Sequence, residues 1–203
     1  MTGDVPGGPE QFRLLAGIMA QRRSVRVFED RPVAASDISA LLKAFDSAPQ
    51  AGGDRGRRCL MITDPARISE LAAAGKQGYQ KWLARTESPL IRSELEQYGA
   101  NFFWFERAPL LAVSAVRRPP AFLQETFGQE AELFWGGHLS AAMAMEALLL
   151  AAEALGLGAC CLGGPMIVRA ELEGLLGLGR REQISLLAAA GYPKGPEKNL
   201  EGE

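Results

Sequence analysis

One histidine, three cysteines and no excess of either charge narrow what this 203-residue chain can do. With His138 as the only histidine there is no multi-histidine metal site. A Ser-His-Asp hydrolase would have to use that residue, and no G-x-S-x-G elbow accompanies it. His138 instead reads as a helix cap or a packed core residue. Cys59, Cys160 and Cys161 are odd in number and two are adjacent, which argues against a disulfide framework and for a reducing interior. Neighbours on a strand face opposite sides, so Cys160 and Cys161 cannot easily share a metal and read as small buried hydrophobes. Twenty-two basic and 24 acidic residues make no field for nucleic acid. Walker A, zinc and G-x-G-x-x-G patterns are absent. The longest apolar region, Leu139 to Gly164, is broken by Glu146, Glu153 and several glycines, so it is not the uninterrupted run of about 20 residues that a membrane span needs. "MTGDVPGGPE" has neither the basic start nor the apolar core of a signal peptide. A soluble cytoplasmic protein without nucleic-acid or membrane partners is expected.

What is present reads as one domain over residues 11–203 behind a flexible lead-in, 1–10, rich in Gly and Pro. Apolar spacing predicts a helix from Phe12 to about Arg23, and a second opened by Ser36 as N-cap and ending near Pro49. "CLMIT" (59–63) reads as a strand, and "ARISELAAAG" as a helix stopped by Gly75. Residues 76–107, dense in aromatics, suggest a helical excursion covering something. A strand is expected at 108–116 and a loop over "RRPPAFLQETFG". The helix 138–156 has almost no polar face, the mark of burial in a core or subunit interface. "ACCL" (159–162), a helix over 168–177 and "QISLLAAAGYP" complete the pattern.

Two stretches carry chemistry. "QRRSVRVF" places Arg22, Arg23 and Arg26 around Ser24. Planar guanidinium forks suit phosphate, and an extended chain puts Ser24 and Arg26 on one side. The alternative is a helix C-terminus whose dipole favours Arg22 and Arg23, with Arg26 in a surface ion pair. "GLGACCLGGP" follows a helix and surrounds a strand, the reverse of a dinucleotide fingerprint. Its Gly163 and Gly164 either let backbone N–H groups approach a flat ligand or form a plain turn before Pro165. A phosphate-suited cluster and a glycine turn, with no evident acid, base or nucleophile, favour a protein whose cofactor does the chemistry.

"RRSVRVF", "APQAGG", "ALGLGACCLGGP" and "LLAAAGYP", in this order over residues 20–193, resemble the FMN-dependent nitroreductase family. The resemblance implies an α+β fold with a mixed central β-sheet flanked by helices, and an intertwined homodimer with FMN at the interface. It assigns the FMN phosphate to Arg22, Arg23, Ser24 and Arg26, with Lys198 or Lys194 reaching it from the tail. Pro49, Gln50, Ala51 and Gly53 would lie along the partner's flavin. Leu162, Gly163 and Gly164 would offer backbone N–H groups to its N5/O4 edge. No catalytic side chain is expected. NADH or NADPH would reduce the flavin and leave, and a small-molecule electron acceptor (nitroaromatic, quinone or enone) would follow in a ping-pong cycle. The Asn, Pro and Trp common in the family after this loop are missing, and Arg55, Arg57 and Arg58 stand nearby. These read as a solvated loop or a site for a second phosphate or acidic substrate. Other readings are a dehalogenase, flavin-cleaving or dehydrogenase member of the superfamily, and a flavin- or nucleotide-binding sensor or carrier without turnover.

Overall fold

The computed structural model describes residues 8–50 and 56–195. Ala51, Gly53 and Lys198 therefore lie outside the described residues, as do 1–7 and the tail from 196.

The chain opens with α1 (Pro9–Gln21), which starts inside the expected lead-in, and α2 (Ala35–Ser47). Strand β1 (Arg57–Ile62) leads into α3 (Pro65–Leu83) and α4 (Pro89–Gly99). A single 3-10 turn, Trp104–Arg107, precedes β2 (Leu110–Arg117). The short helices α5 (Ala121–Phe127) and α6 (Ala131–Trp135) are followed by the long α7 (Gly137–Ala154). Strand β3 (Gly158–Leu162), α8 (Arg169–Leu176) and β4 (Glu182–Gly191) complete the fold.

The strands form one antiparallel sheet in the order β1-β2-β4-β3. The sheet is thus α+β as expected, and its mixed character rests on one parallel bridge, Ser24 to Ala159. Alternation along β2 and β4 sends Leu111, Val113, Leu187 and Ala189 to a core under α3 and α8. Leu110, Ala112, Ala188 and Ala190 face α2 and α7. Alanines on both sides of that second core, including Ala144 and Ala152, let α7 lie close to the sheet.

The expected boundaries fail where a residue does something other than punctuate. Helix α3 runs through Gly75 because that glycine is a packing site, and a Cβ there would collide with the Phe103 ring. At α2 the N-cap is Ala34, and Ser36 lies inside the first turn with its hydroxyl toward Asp37 Oδ1 at 3.4 Å. The stretch read as a loop contains α5, entered from Pro119-Pro120 and ended at Gly128, whose φ of 56° stops it. No helix among the described residues is long and apolar enough to cross a membrane.

The segment after α1 is stitched to the sheet edge. Val25 N–H donates to Ala159 O at 3.1 Å, and Val25 is buried. Gly158 leaves the room, since a Cβ there would stand 2.5 Å from Val25 Cβ. Gly158→Ala is expected to cost about 1–3 kcal/mol by overpacking, measured by urea denaturation, and Val25→Ala in the same chain should recover part of it.

Candidate functional site

The arginine cluster and the glycine turn share one edge of the sheet. The Ser24–Ala159 bridge holds residues 22–26 beside β3, and β3 ends in Leu162, Gly163 and Gly164. Burial pushes the Cys161 thiol up to about 11, with Cys160 and Glu146 adding to it, while the Arg22 guanidinium pulls the other way. Arg22 thus acts electrostatically on the strand that leads into the turn. The side chains divide their work. Arg23 Nη1 donates to Ala20 O at 2.9 Å and Arg22 O at 3.2 Å, closing the end of α1 as the helix-terminus alternative supposed. Arg26 donates to Ser24 O at 3.4 Å. Among the described residues, none of the three has a carboxylate within ion-pair distance. The surface ion pair supposed for Arg26 is therefore not found.

The two glycines differ. A Cβ at Gly163 would meet nothing within 4 Å, so the turn is open there. A Cβ at Gly164 would collide with the Phe102 ring, which already fills that side. Phe102 belongs to a chain of rings, with Tyr79 at 5.5 Å, Tyr98 at 5.1 Å and Phe103 at 6.4 Å between centroids. The aromatic excursion thus packs onto the turn, and it borders a cavity of ≈ 460 Å³ lined by Tyr79, Phe103 and Trp104 together with Lys76, Glu96 and Asn101.

Pro49 and Gln50 sit elsewhere. Arg57, at the start of β1, is 8% exposed and donates to four backbone carbonyls: Phe45 at 2.9 Å, Ala48 at 2.6 Å, Pro49 at 2.5 Å and Ser140 at 3.1 Å. It caps the C-terminus of α2, ties it to α7 and fixes where the 49–50 loop leaves. Arg58 pairs with Glu182 through Nε at 2.6 Å and Nη2 at 3.0 Å. Neither arginine is a solvated loop residue or a site for a second phosphate. For these two both expectations fail because β1 begins two residues before the apolar run that marked it, and Arg55 lies outside the described residues. Since β1 and β3 are opposite edges, the strand that Arg57 opens lies three strand spacings, about 14 Å, from the arginine cluster's edge, and Pro49 is held to Arg57.

A polar network escaped sequence reading. Ser185 is the extra residue of a β-bulge opposite Ser114 and Ala115, and this turns its hydroxyl to His138 Nδ1 at 2.8 Å. His138 Nε2 lies 3.3 Å from Glu132 Oε2, and Gln183 Nε2 donates to the same oxygen at 2.8 Å. Gln183 links on to Arg118, which pairs with Glu173 at 2.7 Å. His138 is neither a cap nor a core residue, and no short-range motif joins partners 47 residues apart. No disulfide joins the cysteines among the described residues, and burial pushes the Cys59 thiol up to about 12. No cluster fit for a metal occurs among the described residues.

Fold and site together define an α+β protein with an arginine cluster and an open glycine turn on one sheet edge. The chain belongs to the nitroreductase family, whose sequence profile it matches over residues 19–192. It is 29% identical over 156 residues to the FMN reductase (NADPH) of Bacillus subtilis (strain 168), covering 74% of this chain and 53% of that protein. The chain thus spans about half the length of that curated relative. Its fold is similar to a BluB-like flavoprotein from Clostridium difficile 630, with TM-score 0.78, 21% identity and coverage of 97% and 95%. It is also similar to a nitroreductase with bound FMN from Bacteroides fragilis NCTC 9343, with TM-score 0.66, 20% identity and coverage of 93% and 97%. A third similar structure is an oxidized iodotyrosine deiodinase bound to FMN and 3-iodo-L-tyrosine, with TM-score 0.68, 20% identity and coverage of 93% and 95%.

Two outcomes test this geometry. Arg57→Met strands four carbonyls and should cost more than about 2 kcal/mol in urea denaturation, with Arg57→Lys intermediate. The His138 imidazole is held below its usual 6.5, mainly by burial and also by Arg169 and Arg118, against the opposing pull of Glu132. Its contribution is therefore complete above pH 6.5 and lost as pH falls from there through the folded value, because the unfolded chain takes the proton first. His138→Gln should flatten that part of the stability–pH curve, measured by denaturation between pH 5 and 8.

Proposed function

We propose that this protein is an FMN-dependent oxidoreductase that passes reducing equivalents from NADH or NADPH to an electron-poor small molecule. The observation that carries the reading is the juxtaposition of unpaired guanidinium groups with an open backbone turn on one edge. Arg22 and Arg26 hold the phosphate, with the Ser24 hydroxyl as a third donor; Lys194, bound through its N–H to Val27 O at 3.1 Å, lies beside them. Lys198 is a further phosphate partner by family pattern alone. Gly163 and Leu162 present the backbone to the flavin edge, and the space where a Gly163 Cβ would stand receives the ring. These residues fit FMN. When bound, it supplies the atom that accepts and returns hydride. The chain's side chains position and enclose. Tyr79, Phe103 and Trp104 line the cavity that takes a flat acceptor such as a nitroaromatic, quinone or enone.

The same reading makes the protein a homodimer. Pro49 and Gln50 leave from the sheet edge opposite the arginine cluster, so a second copy brings them to the first copy's flavin. Helix α1 has no buried residue, and Phe12 is 71% exposed beside α7, where Leu139 is 53% exposed. An apolar surface of this kind marks a subunit interface. A cytoplasmic location completes the proposal.

The visible spectrum of the purified protein, before and after anaerobic NADH or NADPH, is the test. A flavin spectrum that bleaches is expected; no flavin after soaking in FMN would sink the reading. Arg22→Ala and Arg26→Ala should each weaken FMN binding by about 1.5–3 kcal/mol in a fluorescence titration. Gly163→Val should abolish FMN uptake without loss of folding, and a fully loaded variant would refute the placement.

A further inference from the structure

A groove of ≈ 620 Å³ includes Arg26 of the arginine cluster in its lining, and Arg22 and Ser24 are not part of it. One wall is residues 26–32, with Lys194 bonded to it through Val27 O. The other is residues 104–109, and Thr63 and Pro65 flank it. Aromatic rings from the two walls meet, Phe28 and Trp104 lying 6.2 Å apart between centroids. Pro109 and Phe28 both press on Gly191 at the end of β4, closing the floor.

The charges of the groove sort by partner. Glu29 is held by Arg31 at 2.8 Å, and Arg31 lies over the Tyr192 ring at 3.3 Å. Glu106 is held by Lys76 at 2.5 Å, and that pairing, with smaller help from Ser69 and the charge of Arg107, keeps its carboxyl below the usual range. Arg26 and Lys194 on one wall and Arg107 on the other have no ion-pair partner among the described residues, and all three are exposed. Asp30, on the first wall, is also unpaired there. A ligand that satisfies both walls carries a flat ring for Phe28 and Trp104, hydroxyls for Asp30 and a phosphate for Arg107. That combination describes an adenine nucleotide with a phosphate on its ribose.

We propose that this groove binds the adenosine end of the nicotinamide donor, and that Arg107 reads a 2′-phosphate there, so that the protein prefers NADPH to NADH. The inference rests on the oxidoreductase reading and deepens it. On that reading the arginine cluster is taken by the flavin's own phosphate, and the groove shares Arg26 with it, so the adenosine end of the donor lies beside that phosphate while its nicotinamide reaches the flavin ring. Arg107 feels the Glu106 carboxylate but makes no ion pair with it among the described residues, so its guanidinium gains far more from a phosphate dianion than from a ribose hydroxyl, and this is the discrimination the site provides.

The test is calorimetric titration of FMN-loaded protein with adenosine 2′,5′-bisphosphate and with 5′-AMP. Wild type should bind the bisphosphate at least tenfold more tightly than 5′-AMP. Arg107→Ala should weaken the bisphosphate by about tenfold or more, leave 5′-AMP nearly unchanged and leave FMN content unchanged. The KM for NADPH should rise in that variant while that for NADH stays. Equal binding of the two probes by wild type, or bisphosphate affinity untouched in Arg107→Ala, overturns the proposal. Protein that takes up no FMN overturns the oxidoreductase reading instead, and the same probes titrated into it still decide whether the groove reads the phosphate.

Discussion

A single guanidinium, that of Arg57, ties together by directional hydrogen bonds elements that otherwise meet through apolar packing. It sits at the first residue of an edge strand and takes the last carbonyls of α2 and one from α7. No carboxylate balances it within ion-pair distance among the described residues; carbonyl dipoles at a helix C-terminus do. Burial lowers its pKa, with Asp46 opposing, yet a guanidinium remains charged under such pressure. The cation is thus a permanent fixture, and its geometry sets the point at which the chain leaves α2. Everything said of Pro49 and Gln50 follows from that point. Because it lies on the edge away from the arginine cluster, the proposed flavin site draws its two halves from two copies of the chain.

Glycine plays two opposed roles here, and the contrast organises the aromatic half of the molecule. At Gly75, Gly99 and Gly164 the missing Cβ is replaced by a ring, from Phe103, Tyr79 and Phe102 respectively. Rings seated in glycine sockets hold the segment between α4 and β2 against α3 and the turn. That anchoring puts Trp104 between the two cavities, where it lines both. At Gly163 the socket is open. The same residue type thus marks close packing at some positions and open space at Gly163, and only three-dimensional context separates them.

This explains how much the sequence disclosed. Strand and helix identity was legible wherever apolar periodicity was strong: α7, β2, β3 and β4 fell within about two residues of expectation. The arginine cluster and the glycine turn were legible because each is local, and the Ser24–Ala159 bridge then joined them. Gly75 misled because a helix stop and a packing socket are spelled alike. Arg57 and the His138 network were illegible because their partners come from four or more elements, and the Ser185 bulge exists only through pairing with β2.

The distribution of charge separates structural from ligand-facing cations. Arg58, Arg67, Arg118 and Arg169 each find a carboxylate, three of them gathered around Glu173 and Glu182 at one end of β4. Arg22, Arg26, Arg107 and Lys194 do not among the described residues, and they line the edge and groove assigned to nucleotides. In a chain of net charge −2 this is not a shortage of carboxylates. Cations kept near one another without counter-ions repel, and the folded protein tolerates that repulsion at a cost to its own stability. An anion that enters relieves it, so part of the binding energy comes from interactions that the empty fold holds in an unfavourable state. Ligand binding and folding stability are then linked: on the proposed reading, the residues that would select the nucleotides are the ones that make the fold less stable without them.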